Sequence, residues 1–167
     1  MKKILFVCTG NSCRSPIAEG LLEKMFKEEN VQNIEVFSAG TNSIPGIPPT
    51  RETIEVLRKE GIDISDHRST CITYDLISQA DLILVMEKVH REKILTMNPG
   101  VKNKVFLLRE FAGDSRGTYP IGKGDETLDI YDPIGQPISV YEKCLLEIKD
   151  VLKRSLQKII GFLLSQE

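Results

Sequence analysis

The sequence predicts a single-domain α/β fold: a four-stranded, twisted parallel sheet flanked by helices on both faces. Three observations lead there. The segment KILFVC, residues 3–8, is a short, continuously apolar run of the kind shown by a strand covered on both faces. Strand-like and helix-like segments then alternate along the chain, which implies parallel strands joined by right-handed crossovers. The 167 residues, 41% apolar and 28% charged, suit one folded domain over residues 1–167 with a substantial core.

After KILFVC comes a short polar loop, where Ser15 can cap and Pro16 can open a helix reaching about Asn30. Ile17, Leu21, Leu22, Met25 and Phe26 recur at helical spacing and give that helix one apolar face. NIEVFSAG alternates as a second strand ending at Gly40, and TNSIPGIPPT, residues 41–50, is a loop rich in turn formers. A helix over Thr53 to Lys59 is stopped by Gly61. A short helix in TYDLISQA leads into the strand DLILVM, and KVHREKILTM is helical up to NPG. KVFLLREF reads as the fourth strand, and residues 112–138, rich in glycine and proline, as a long irregular loop of the kind that often carries function. From Ser139 to about Leu164, residues Cys144, Ile148, Val151, Ser155, Ile159 and Leu163 mark one long closing helix.

Composition narrows the function classes. A formal net charge of −2 gives no global reason to expect nucleic acid or an anionic membrane as partner, so any anion site must be local. The opening MKKILFVCTG has two lysines and an apolar run, but the run ends without a small-residue cleavage site, and no stretch approaches the roughly 20 apolar residues of a membrane span. A cytoplasmic monomer is the expectation. The cysteines Cys8, Cys13, Cys71 and Cys144 are scattered in a way that favours reduced thiols over a disulfide framework. Zinc is a weak alternative, because Cys8 and Cys13 have no second close pair and His67 and His90 stand apart.

The chemistry concentrates in VCTGNSCRSP, residues 7–16, at the carboxyl end of the first strand, where such folds bind ligands. Cys8 and Arg14 form a Cys-x5-Arg pattern followed by Ser15, with Thr9, Gly10, Asn11, Ser12 and Cys13 between. A loop of this length entering a helix can wrap its backbone N–H groups around a tetrahedral anion, aided by the positive end of the helix dipole. Gly10 permits tight turning, Asn11 tolerates positive φ, and Arg14 offers a planar fork for two oxyanion oxygens. The same field favours the thiolate of Cys8, and a Ser15 hydroxyl can donate to it. Attack by that thiolate on phosphorus would form a phosphocysteine. A leaving group needs a proton, and in DIYDPIGQP both Asp129 and Asp132 offer a carboxyl, although Asp-Pro is as readily a simple turn.

The loop resembles the nucleophile loop of the low-molecular-weight protein tyrosine phosphatases, including the related bacterial protein arginine phosphatases. The likeness covers KILFVCTGNSCRSPIAEGLL, SAGT at 38–41, ADLILVM at 80–86 and DP at 132–133, nearly the whole chain. It implies a four-stranded α/β domain and a phosphorylated protein substrate, with phosphate-like oxyanions as inhibitors and no metal or organic cofactor. By position, Cys8 matches the nucleophile, Arg14 the phosphate-binding arginine, Asp132 the general acid, and Ser15 the serine that assists the thiolate as leaving group. Asn11 matches the asparagine that holds the loop's backbone, supported by Ser38 and His67, which makes His67 a structural hydrogen-bonder. Residues 9–15 would hold the phosphoryl group.

Two departures bear on the leaving group. Tyrosine-specific members line the mouth with aromatics, whereas here TNSIPGIPP has none and Ile134 and Gly135 follow Pro133. Ser12 stands where tyrosine phosphatases carry a branched apolar residue and arginine phosphatases carry threonine. Phosphotyrosine is the expected substrate and phosphoarginine the alternative. Two rivals from other classes are a thioredoxin-coupled arsenate reductase, which would need two further redox thiols close together, and an anion-binding module without catalysis. Cys13 has two readings as well: a small apolar filler beneath the loop, or a partner for Cys8 in a protective disulfide.

Overall fold

The computed structural model describes residues 1–115 and 128–165. Four parallel strands, β1 (Lys2–Cys8), β2 (Ile34–Gly40), β3 (Leu82–Val85) and β4 (Val105–Leu107), lie in the order β2-β1-β3-β4. Between them run α1 (Arg14–Glu28), α2 (Arg51–Lys59), α3 (Tyr74–Gln79) and α4 (Lys88–Met97), followed by a 3-10 turn at Pro99–Lys104. A short α5 (Leu108–Phe111) and the long α6 (Ile138–Leu164) complete the single-domain α/β fold.

Because a strand's side chains alternate in direction, β1 feeds two cores. Ile4, Phe6 and Cys8 join Ile17 and Leu21 of α1, Leu57 of α2 and Ile148 of α6; Leu5 and Val7 join Ile77 of α3 and Ile94 of α4. With both faces covered, no position on β1 from Ile4 to Cys8 can be polar without cost, which is why the segment reads as an unbroken apolar run. The face predicted for α6 is buried in full, and the one hydroxyl on it, Ser155, is satisfied by the Val151 carbonyl at 2.8 Å. Among the described residues no helix is long and apolar enough to cross a membrane.

Three expectations need correction. KVFLLREF is a strand only over Val105–Leu107, after which the chain turns into α5. Continued extension would align Arg109 with Val105, Leu107 and Phe111 on one apolar face. The helical turn instead lets Arg109 meet Glu147 at 3.5 Å and Asp114 at 3.2 Å, while Phe111 packs against Phe106 and Phe162 with ring centroids 5.3 and 5.8 Å away. Next, α1 begins at Arg14 with Cys13 in the capping position and no side-chain cap; the Ser15 hydroxyl is occupied inside the loop. Finally, α2 begins at Arg51 rather than at Thr53, because Thr50 caps it, accepting the Thr53 N–H at 3.3 Å. Of the irregular segment expected over 112–138, residues 116–127 lie outside the described residues.

Candidate active site

The parallel register sets Val7 beside Ala39 and Val85, and Cys8 beside Gly40, so three strands end at one edge. The loop Cys8–Ser15 leaves that edge and curls into α1. Thr41 and Asn42 donate backbone N–H bonds to the Cys8 and Thr9 carbonyls at 2.9 and 3.0 Å, tying the loop to the end of β2. Gly40 is required there, since a Cβ would lie 2.5 Å from the Thr9 carbonyl oxygen.

Asn11 organises the interior of the loop. Its φ of 53° lies in the left-handed region, as anticipated for an asparagine. Its side-chain amide donates to Ser15 Oγ at 2.9 Å and Ser38 Oγ at 2.8 Å, and its Oδ1 accepts the Thr70 N–H at 2.8 Å. The Asn11 carbonyl meets His67 Nε2 at 3.1 Å, so that nitrogen carries the proton. Ser38 donates a hydrogen bond to the half-buried carboxylate of Glu19, whose pKa burial raises above its ordinary value. His67, whose other nitrogen lies 4.0 Å from Glu19, is shifted below its ordinary value by burial. Ser38 and His67 therefore both meet Asn11, and Glu19 is a neighbour that sequence reasoning missed.

At the centre, Cys8 Sγ accepts the Asn11 N–H at 3.3 Å and lies 2.9 Å from Ser15 Oγ. Because Asn11 already donates to Ser15 Oγ, the Ser15 hydrogen is free to point at the sulfur. The Cys13 sulfur lies 3.7 Å from both Thr50 Oγ1 and Tyr141 OH. Burial pushes the Tyr141 phenol up to about 12, so the hydroxyl beneath Cys13 stays protonated. Ser12 is half-buried on the loop.

Arg14 is only 1% exposed, yet it keeps its charge. Burial opposes ionisation, but Cys8, Asp132 and Glu87 together hold the guanidinium above its ordinary value. One terminal nitrogen meets the Glu87 carboxylate and the Ile130 carbonyl, the latter at 2.8 Å. The other lies 3.1 Å from Asp132 Oδ2 and 3.4 Å from Thr9 Oγ1. Its Nε is buried with no hydrogen-bond partner among the described residues, a costly arrangement for a cation unless an anion meets it. Asp132 itself is 35% exposed, and its Oδ1 accepts the Ile134 N–H at 3.2 Å. Its competitor Asp129 is turned elsewhere, accepting the Lys88 N–H at 2.8 Å.

Glu87 and His90, at the start of α4, also belong to the site and were not anticipated. Their place just past the end of β3 was the available signal, since ligands in such folds gather at strand carboxyl ends. The two histidines meet different residues of the loop, His67 at Asn11 and His90 at Thr9. Among the described residues no group of three or more His, Cys, Asp or Glu side chains could hold a metal ion. Cys71 pairs with the end of β2 through Gly40, whereas Cys144 is buried on α6 with its thiol pushed up by that burial.

This geometry has close parallels. Residues 3–161 match the family model described as low molecular weight phosphotyrosine protein phosphatase. The chain is 36% identical over 145 residues to a probable low molecular weight protein-tyrosine-phosphatase, EpsP, of Ralstonia nicotianae, covering 87% of each. It is 34% identical over 151 residues to the protein-arginine-phosphatase of Bacillus subtilis, covering 90% of this chain and 92% of that one. Among solved structures, a low molecular weight protein tyrosine phosphatase from T. tengcongensis superimposes with a TM-score of 0.82 at 36% identity, over 95% of this chain and 99% of that one.

Proposed function

Because this chain belongs to the low molecular weight phosphotyrosine protein phosphatase family and is a cysteine-dependent phosphatase, we propose that it hydrolyses phosphotyrosine in proteins through a phosphocysteine on Cys8. The observation that carries the assignment of roles is the convergence on one guanidinium. Arg14 has a buried Nε with no hydrogen-bond partner among the described residues, lies 3.1 Å from the Asp132 carboxyl, and is held in its charged form in part by Cys8. Cys8 Sγ attacks phosphorus, and the phosphoryl oxygens are held by loop N–H groups and by Arg14 as their charge redistributes. Protonated Asp132 gives its hydrogen to the departing phenolic oxygen and then, as carboxylate, takes one from the water that opens the phosphocysteine. In that second step the Ser15 hydroxyl, 2.9 Å from the sulfur, stabilises the leaving thiolate. No metal or organic cofactor enters this scheme. Neither Cys71 nor Cys144 is set beside the other for relay chemistry, which disfavours an arsenate reductase.

The leaving group is the finer question. Exposed Ile44, Ile47, Tyr131 and Ile134 belong to the two segments that flank the loop and would contact a flat aromatic group. Ser12 favours the second reading, phosphoarginine, because its half-buried hydroxyl can meet a guanidinium that an aliphatic side chain would leave unsatisfied. Turnover of phosphotyrosine and phosphoarginine peptides, measured side by side for the native chain, Ser12→Ile and Ser12→Thr, tests both. Phosphotyrosine preference in the native chain, strengthened by Ser12→Ile, is the expected result. Preference for phosphoarginine in the native chain overturns the first reading, and equal preference in all three discards Ser12 as selector.

A further inference from the structure

Thr9 follows the nucleophile directly, and the proposed reaction draws only on its backbone N–H. Its side chain is bound on two sides. Oγ1 lies 2.8 Å from His90 Nε2 and 3.4 Å from a terminal nitrogen of Arg14. His90 is 1% exposed, and its Nδ1 accepts the Glu87 backbone N–H at 3.0 Å. That bond needs the Nδ1 lone pair, so the neutral ring carries its proton on Nε2. Burial, with the Arg14 charge beside it, lowers the ring's pKa to about 4, and it stays neutral near pH 7. His90 therefore donates to Thr9, and Arg14, which has no acceptor atoms, donates as well. With both lone pairs of Oγ1 engaged, the Thr9 hydroxyl can only give its own hydrogen. Among the described residues no acceptor for it lies within reach, and Oγ1 sits beside the Arg14 nitrogen that also faces Asp132.

We propose that the Thr9 hydroxyl is a further donor to the substrate's phosphoryl oxygens, aimed into the loop by His90, which acts as a positioning residue through Thr9. The proposal rests on the phosphatase reading above, and it assigns work to two side chains which that reading leaves idle. A fixed donor aimed at oxygens that gain charge in the transition state adds to both phosphate affinity and turnover.

The test uses the full chain with inorganic phosphate and an aryl phosphate as probes. Phosphate affinity is read by calorimetric titration, kcat and KM by turnover, and folding by thermal melting. Thr9→Val keeps the shape and removes the hydroxyl; it should weaken phosphate binding about fivefold and lower kcat/KM about 10- to 50-fold with melting little changed. Thr9→Ser should stay within about threefold of the native chain. His90→Phe should weaken phosphate binding by about fivefold when Thr9 is present and add nothing to Thr9→Val, the signature of action through one hydroxyl. Unchanged phosphate affinity in Thr9→Val, a Thr9→Ser variant as weak as Thr9→Val, or independent effects of His90→Phe and Thr9→Val would each overturn the proposal. Should His90→Phe fail to fold, the two Thr9 variants decide alone. A native chain that binds phosphate through Thr9 but turns over no phosphate ester would sink the phosphatase reading and leave this one standing.

Discussion

Asn11 and Asp132 belong to the same site and are held in opposite ways. Asn11 is fully buried and engaged through its N–H, carbonyl, Nδ2 and Oδ1 with Cys8, His67, Ser15, Ser38 and Thr70. Asp132 is one-third exposed and, among the described residues, meets Arg14 and the Ile134 N–H of its own turn. The segment carrying it is tied back by a few bonds, Ile130 N–H to the Met86 carbonyl at 2.8 Å and Arg14 to the Ile130 carbonyl at 2.8 Å. The contrast teaches a division of labour. A loop that must present several N–H groups to an anion has to be rigid before the substrate arrives, because reorganising it would consume the binding energy. An acid that must reach leaving groups of differing shape needs only one charged anchor.

The largest effect that tests this division is at the nucleophile. Cys8→Ser should lower kcat by about 10⁴-fold or more while inorganic phosphate still binds, because the cradle is built by Asn11 and not by the thiol. Loss of both turnover and phosphate binding, read by titration, would break the comparison. Asp132→Asn should slow an alkaline phenol leaving group by about 10²-fold and an acidic nitrophenol by less than about tenfold, with melting unchanged. A uniform loss for both leaving groups would mean that Asp132 positions substrate rather than transferring a proton.

Asn11→Ala should show the reverse pattern. It strands the buried Ser38 and Ser15 together with the Thr70 N–H and puts alanine at positive φ, so about 2 kcal/mol of stability should go, or roughly 5 °C in Tm. Melting as high as that of Asp132→Asn would remove the distinction between the two residues. The smallest effect is the pH dependence of His90. Its folded pKa, lowered to about 4 from 6.5, means that the unfolded chain binds more protons between those values. Its contribution is full above pH 6.5 and declines as pH falls toward 4, with on the order of 1–2 kcal/mol lost between pH 7 and 5. His67, also lowered, runs the same way, while half-buried Glu19 and buried Glu147, both raised, run the opposite way. Denaturant melts of the native chain and His90→Gln across this range isolate the His90 part: the variant should have the shallower slope, and equal slopes would discard it.

How much of the site was legible depended on sequence distance. Cys8, Asn11, Arg14 and Ser15 lie within one loop, and their spacing alone suggested an anion cradle. Asp132 was one of two carboxyls until the family resemblance singled it out, and only geometry turned Asp129 away to Lys88. Glu87 and His90 were invisible as site residues because their partners Arg14 and Thr9 stand 73 and 81 positions away. Glu19 was hidden for a different reason: on a helix, a lone glutamate reads as a solvated charge until its neighbour Ser38 is known. KVFLLREF misled because its apolar run suits a strand, while the ion pair that bends it lies with Glu147 on α6.

By itself the sequence determined what depends on neighbouring residues: the doubly covered first strand, the Cys-x5-Arg loop, the apolar helix faces and a net charge of −2 that does not attract a polyanion. The tertiary structure decided what depends on strand register. With Cys8 beside Gly40 and Val7 beside Val85, the residues that follow three separate strands meet at one edge. There Gly40 lets the backbones close, Glu87 meets Arg14, and His90 meets Thr9. Local periodicity sets which side chains a segment buries. Only pairing between distant strands sets which of them share a site.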